Sequence, residues 1–376
     1  MSTRFRRPRS SLPRDNFAKG ASGSSVKQLS QPTQSPVYKV SATLLSVFIW
    51  YGAHCLYAKE MQRFSTSPQR IQPSLGLAFE TGFAVATLQT IAGMVLGATL
   101  LRMRFGSDIG TILFRESKGM VWLGLLHAIG ACGTNLGFLY GTASLVQILK
   151  VSEPFQTLGW SVMLGEETSA SFQHLSSILV LVGGAMAVVS SHPTPPHVIS
   201  VASALVTGLS LTLRNVVQRK ISNKTFRTSM VHFTLMSLFA SLWSSFGTVL
   251  ALILTKVDAS EGRQPLLEGI SLGTIFYHPI FSLASIVTLG IWSALTHALL
   301  NNGKRIVSVL VSIFLYDEEW TRGAVAGLVA CSFGTIAYIN ERRHQHDYEA
   351  GERGGLHPLI AVAILLCLFW LPGDDE

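Results

Sequence analysis

Of the fully ionisable side chains inside stretches that are otherwise apolar, five stand out. They are Lys150, Glu153, Arg214 and the adjacent Lys304 and Arg305, with His127 and His297 as softer members of the set. A charge at the centre of a membrane helix costs about 2.5–3.5 kcal/mol on insertion scales, so such residues point to a substrate or ion pathway. Four of the five are cations, and only Glu153 offers internal neutralisation. Glu153 follows Lys150 by three positions on one helix face, so a structural Lys–Glu pair is the alternative for both. Arg214 lies near a basic loop, and snorkelling to the interface is its alternative. Lys304-Arg305 has no such outlet: no acid occurs between Glu268 and Asp317, and the largely apolar run 306–315 follows directly. Guanidinium forks match phosphate oxygens bidentately, while lysine supplies a mobile point charge. The chemistry expected is binding of an anion, phosphate best of all, and repulsion of cationic substrates.

Those residues must be held by the elements around them, and composition says what kind. The chain has 376 residues, of which 13% are charged and 48% hydrophobic, with mean hydropathy +0.39. A globular chain averages about 25% charged, so two soluble domains are excluded. A helix of about 20 apolar residues crosses the ~30 Å hydrocarbon core. Such stretches fall at 40–58, 76–101, 119–140, 142–164, 173–191, 196–217, 228–255, 275–294, 296–316, 321–340 and 356–372. The last is bounded by Gly354-Gly355 and Pro372-Gly373, and it crosses, lies in the interface or is peripheral.

The expected fold is an all-α polytopic membrane protein with about ten transmembrane helices, plus this eleventh C-terminal hydrophobic segment. The net charge of +8 is then read by membrane side and not as a nucleic-acid footprint. Eight Lys and Arg precede the first span, Arg102, Arg104, Arg115 and Lys118 fill the second loop, and Arg219, Lys220, Lys224 and Arg227 the sixth. Arg342, Arg343 and Arg353 follow the tenth span, whereas the third and fifth loops have none; the first loop, with Lys59, Arg63 and Arg70, is a mild exception. Both flanks of the ten-span set are therefore expected on the cytosolic side, which leaves the Asn223-Lys224-Thr225 sequon unglycosylated. Residues 1–38 read as a disordered basic tail, cytoplasmic or transit-peptide-like but without the apolar core of a signal peptide.

The four cysteines, Cys55, Cys132, Cys331 and Cys367, sit in or beside apolar stretches with no CxxC spacing, and read as small buried hydrophobes. No metal site, cofactor or catalytic residue is expected. The loops offer no pair of acids in a catalytic motif, no His-x-x-x-x-Asp string and no aspartate-rich metal motif, which argues against an enzyme acting on lipid phosphates.

An internal repeat supports the span count. Residues 142–168 end in Leu164-Gly165-Glu166-Glu167-Thr168, and 296–320 contain Leu315-Tyr316-Asp317-Glu318-Glu319. Lys150 and Lys304 each precede their acidic cluster by about a dozen residues, an offset near 150. Five spans per repeat is odd, so the halves, expected at 39–191 and 192–341 with 342–376 as a linker and hydrophobic segment, must be inverted.

Lys150-Val151-Ser152-Glu153-Pro154-Phe155, with Gly165-Glu166 after it, resembles the Lys-x-x-Glu-Pro-Phe … Gly-Glu signature of the plastid triose-phosphate/phosphate translocators. Leu213-Arg214-Asn215 with Arg219-Lys220, and Thr296-His297-Ala298 through Asn301 to Lys304-Arg305, resemble further family strings in the same order, over about residues 40–340. The resemblance extends to sugar-phosphate translocators and relatives in the drug/metabolite transporter superfamily. It implies ten helices in two inverted five-helix repeats and exchange of a phosphorylated metabolite for inorganic phosphate by alternating access. Lys150, Lys304, Arg305 and Thr134 would then hold the phosphate, and Arg214 the distal part of the substrate.

This chain departs from the pattern at that distal subsite. Ala131 stands where the family has histidine, Phe281 where it has tyrosine, and Leu300 where it has glycine. The carbon-skeleton specificity is thereby left open, with a nucleotide-sugar or nucleoside monophosphate antiporter of Golgi or endoplasmic reticulum as the alternative to a plastid-envelope carrier. His127, one turn before Ala131, is a compensating imidazole or a packing residue. Pro154 removes a backbone hydrogen bond and is expected to kink its helix, as a gating element or as a static bend.

Overall fold

The computed structural model describes residues 36–65, 74–106, 109–165, 171–191, 197–221, 226–255, 270–316 and 321–350. The expectations placed on the N-terminal tail, on Glu166, Glu167 and Asp317-Glu318-Glu319, on the sequon and on 356–372 lie outside these residues. The chain divides into Met1–Val40 and Ser41–Glu376; the first contributes only the opening residues of a helix, and the packing below lies within the second.

The described residues are helical throughout. In chain order the helices are α1 (Pro36–Ser65), α2 (Leu75–Phe105), α3 (Ile109–Tyr140), α4 (Ala143–Leu149), α5 (Glu153–Met163), α6 (Ser171–Ser191), α7 (Val198–Ile221), α8 (Phe226–Thr255), α9 (Leu272–Ile291), α10 (Ala294–Tyr316) and α11 (Arg322–Ala350). Helix takes up most of the described part of each of the first ten predicted apolar stretches. Leu75–Phe105, Leu113–Tyr140, Val198–Ile221, Arg227–Thr255 and Leu272–Ile291 are long and apolar enough to cross a bilayer by length and composition.

Short connectors work because hydroxyl caps start the next helix at once. Thr142 accepts from the Leu145 N–H at 3.2 Å ahead of α4, and Ser293 accepts from the Thr296 N–H at 3.1 Å ahead of α10. Each satisfies one of the donors that a helix N-terminus leaves open.

The fourth predicted span is two helices, not one. Pro154 has no N–H for the Lys150 carbonyl, so the helix tightens into one 3-10 turn over Lys150–Ser152, and that carbonyl accepts from the Glu153 N–H instead. Pro154 then sits in the first turn of α5, where a missing N–H is harmless. The kink expected at Pro154 takes the form of one 3-10 turn just before it, with Leu149, Lys150, Ser152 and Glu153 all keeping right-handed helical backbone. Its loosened backbone is met from outside: the Asn302 side chain donates to the Val151 carbonyl at 3.3 Å, and the Ser152 hydroxyl to the Leu149 carbonyl at 3.1 Å. Irregular backbone at membrane depth requires such partners.

Packing pairs α2 with α8, α6 with α11, and α3 with both α7 and α8, while α10 runs against α4 and α5. Glycines make the close approaches. A Cβ on Gly183 of α6 would meet the Gly327 carbonyl of α11 at 2.6 Å, and one on Gly93 of α2 would meet the Ser237 hydroxyl of α8 at 2.9 Å.

Candidate functional site

The 3-10 turn between α4 and α5 faces a cavity within the bundle. Lys150, Glu153, Thr134, Ala131, Arg214, Phe281, Lys304 and Arg305 all line it. The residues singled out by charge and by resemblance, from five different helices, are thus brought to one place. Pro154 is buried beside them but is not part of the wall.

Each cation has a distinct setting. The Lys150 ammonium donates to the Thr134 hydroxyl at 2.6 Å, and that hydroxyl donates to the Gly130 carbonyl at 2.7 Å. Lys304 places its ammonium 5.1 Å from the Trp50 ring centre and 5.5 Å from that of Phe281, a cation–π contact with both rings. Arg305 is ion-paired through one terminal nitrogen with Glu153, and the Asn301 amide donates to the other Glu153 oxygen. Its Nε and remaining terminal nitrogen are buried with no partner among the described residues.

Two expectations change here. Glu153 pairs with Arg305 across the α5–α10 contact and not with Lys150 one turn away. The pair at 304–305 is accordingly not bare, since its arginine has a carboxylate. Arg214 does not snorkel either; it is 6% exposed and turned into the bundle. Its Nε and one terminal nitrogen donate to the Asn215 side-chain oxygen at 3.1 and 2.6 Å, and the other terminal nitrogen to His127 Nδ1 at 2.7 Å. Arginine has no acceptor, so His127 Nδ1 must accept and its ring proton lies on Nε2. His297, the other soft member, is fixed by Ser285 at 2.9 Å and stacks on Trp50 with ring centres 4.8 Å apart.

The wall also contains residues that charge alone did not mark: Trp50, His54, Tyr57, Gln147 and His278. Phe281 is a hub for several of them, with ring centres 4.9 Å from His278, 5.1 Å from His54 and 5.2 Å from Tyr57. The available signal was Trp50, His54 and Tyr57 at i, i+4 and i+7 of an apolar span, one continuous helix face. The sequence of α10 carries the same pattern at His297, Asn301, Lys304 and Arg305, and it was found because two of those residues are charged.

A bundle of apolar helices around a buried, mainly cationic cavity defines an integral membrane transporter more readily than any soluble binding protein. The Triose-phosphate Transporter family matches residues 76–339, well over half of the chain, and the protein belongs to that family. It is a transporter of the sugar-phosphate and nucleotide-sugar kind, of drug/metabolite transporter type. A solved structure described as a crystal structure of protein superposes with a TM-score of 0.54 at 11% identity, over 81% of this chain and 99% of that one; this likeness concerns the fold. A search of curated proteins gave no match.

Proposed function

We propose that this protein is a secondary antiporter exchanging a small phosphorylated metabolite, such as a triose phosphate or phosphoenolpyruvate, for inorganic phosphate by alternating access. The observation that carries the reading is the convergence of Lys150, Lys304 and Arg305 on one cavity with a single carboxylate among them, and with two Arg305 nitrogens unpartnered. Four cations against Glu153 leave a net positive cavity that a phosphate or phosphate-ester dianion largely neutralises. Closing it empty leaves buried charge uncompensated, at several kcal/mol per ion, so the empty carrier returns slowly and efflux is coupled to uptake. Arg214, with His127 and Ala131 near it, and Phe281 form the distal wall.

The same reading takes the helices as two inverted five-helix repeats. Supporting it, the Asn302–Val151 and Cys331–Val180 hydrogen bonds each join residues 151 apart, close to the repeat offset. Contacts between equivalent positions are what a pseudo-twofold axis produces. The same reading takes the N-terminus to be cytosolic, which the distribution of Lys and Arg among the loops supports, in a plastid, Golgi or endoplasmic reticulum membrane.

The test is uptake of labelled phosphate into liposomes carrying the purified protein and preloaded with phosphate, a triose phosphate, phosphoenolpyruvate, a nucleoside monophosphate or nothing. Uptake that requires internal phosphate or a three-carbon ester is expected. Equal uptake into empty vesicles would overturn counter-exchange, and nucleotide-sugar uptake driven by internal nucleoside monophosphate would overturn the substrate assignment.

A further inference from the structure

We propose that Trp50 is a further substrate-binding residue, whose indole Nε1–H donates to an oxygen of the phosphate group seated on Lys304 and Arg305. The proposal rests on the phosphate-exchange reading above, and four observations lead to it. Trp50 is 1% exposed and lines the cavity. Its Nε1 is buried and has no acceptor among the described residues. A buried tryptophan N–H ordinarily finds one; in this chain Trp243 donates to the Val121 carbonyl at 3.3 Å, while Trp160, whose Nε1 is also buried without a partner among the described residues, lies off the cavity wall, so the place of Trp50 in that wall is what singles it out.

The ring is also held in place. It stacks on His297 with 16° between the planes, and His297 is itself fixed to Ser285. Its neighbour Tyr51 donates to the Leu300 carbonyl at 2.5 Å, which ties this turn of α1 to α10. Finally, the Lys304 ammonium lies 5.1 Å from the indole centre, so an anion seated on Lys304 lies beside the indole.

The chemistry of the group suits that ligand. Indole N–H is a donor only, and phosphate oxygens are acceptors. A neutral donor adds a hydrogen bond without adding a further charge to a cavity that already holds Lys150, Lys304 and Arg305. It therefore strengthens phosphate binding while leaving the charge balance of the loaded and empty carrier as it was. It also discriminates against a ligand that presents an ammonium group at that point.

Trp50→Phe separates the N–H from the ring, because phenylalanine keeps an aromatic face for Lys304 and for His297. Phosphate binding to the purified protein is measured calorimetrically, and half-saturation of phosphate exchange in liposomes is measured beside it. A lost hydrogen bond to a charged acceptor weakens phosphate affinity about tenfold or more. If Trp50→Phe packs poorly, incorporation of the benzothienyl analogue of tryptophan at position 50 repeats the test with the N–H replaced by sulfur and the bicyclic shape kept. The same loss is expected from both. Phosphate affinity within twofold of the parent in either well-folded variant overturns the role of Trp50 and leaves the exchanger reading standing. A parent protein that binds no phosphate overturns both.

Discussion

Glu153 is the residue whose surroundings decide how the cavity behaves without a ligand. It is 1% exposed, shares its two oxygens between Arg305 and Asn301, and stands where a phosphate would also be drawn. A buried ion pair adds little net stability, but removing one partner leaves an uncompensated charge at a cost of about 3–5 kcal/mol. Glu153→Gln keeps the shape and the contact with Asn301 while stripping Arg305 of its counter-charge. The unliganded variant is therefore expected to unfold at a clearly lower temperature than the parent in detergent. Saturating phosphate is expected to recover more of that loss than it adds to the parent, because the anion supplies what the carboxylate did. An unchanged melting temperature without phosphate would show that Arg305 finds another partner. This arrangement was only half legible in the sequence. Charges in apolar runs announced Lys150, Glu153, Lys304 and Arg305, but the carboxylate pairs with residues about 150 positions away, and helical spacing favours the wrong neighbour, Lys150. Trp50 and Tyr57 were silent because an aromatic side chain in a membrane span is the ordinary case.

The break between α4 and α5 positions both Lys150 and Glu153, which stand at opposite ends of a single 3-10 turn. A continuous α-helix would put them on one face, three residues apart, and bring them together. Three residues per turn eclipses positions i and i+3 as well, so the separation comes from the partners: the long Lys150 side chain reaches Thr134 on α3, while Glu153 is taken by Arg305 and Asn301 of α10. Pro154→Ala restores an N–H for the Lys150 carbonyl and raises helix propensity at that position. The variant is expected to keep or gain thermal stability yet exchange phosphate several-fold more slowly, as the backbone of Lys150–Glu153 rewinds and shifts the ammonium relative to Thr134. Measuring melting temperature and exchange rate on the same preparation checks this, and a parent-like rate would mean that the break is indifferent to proline. The sequence identified the proline and a bend. It did not identify the 3-10 turn, or the Asn302 side chain of α10 that meets the Val151 carbonyl within it.

At the scale of the molecule, apolar block lengths were enough to outline ten helical stretches, because no other backbone satisfies itself in a bilayer. Which helices touch was not legible, since seams between membrane helices are written in small residues that look alike everywhere. The α6–α11 seam has a particular bearing on the site. Val151, next to Lys150, packs with Val180 of α6 and Cys331 of α11, so this seam is the wall behind the break. A Cβ on Gly327 would lie 2.5 Å from both the Ala187 nitrogen and the Gly183 carbonyl oxygen, backbone atoms that cannot rotate away. Gly327→Ala must therefore push α6 and α11 apart, with an overpacking cost of about 1–3 kcal/mol. Because the displaced wall carries Val180 and Cys331, Val151 loses its support and phosphate affinity is expected to fall with stability. Gly97→Ala, on the α2–α8 seam against Phe233 and Thr234, is the control: none of these residues lines the cavity, so stability is expected to fall while phosphate affinity per folded molecule holds. Calorimetric phosphate binding and thermal unfolding of the two variants separate the cases. Equal affinities in both would mean that the seam stabilises the bundle without setting the geometry of Lys150.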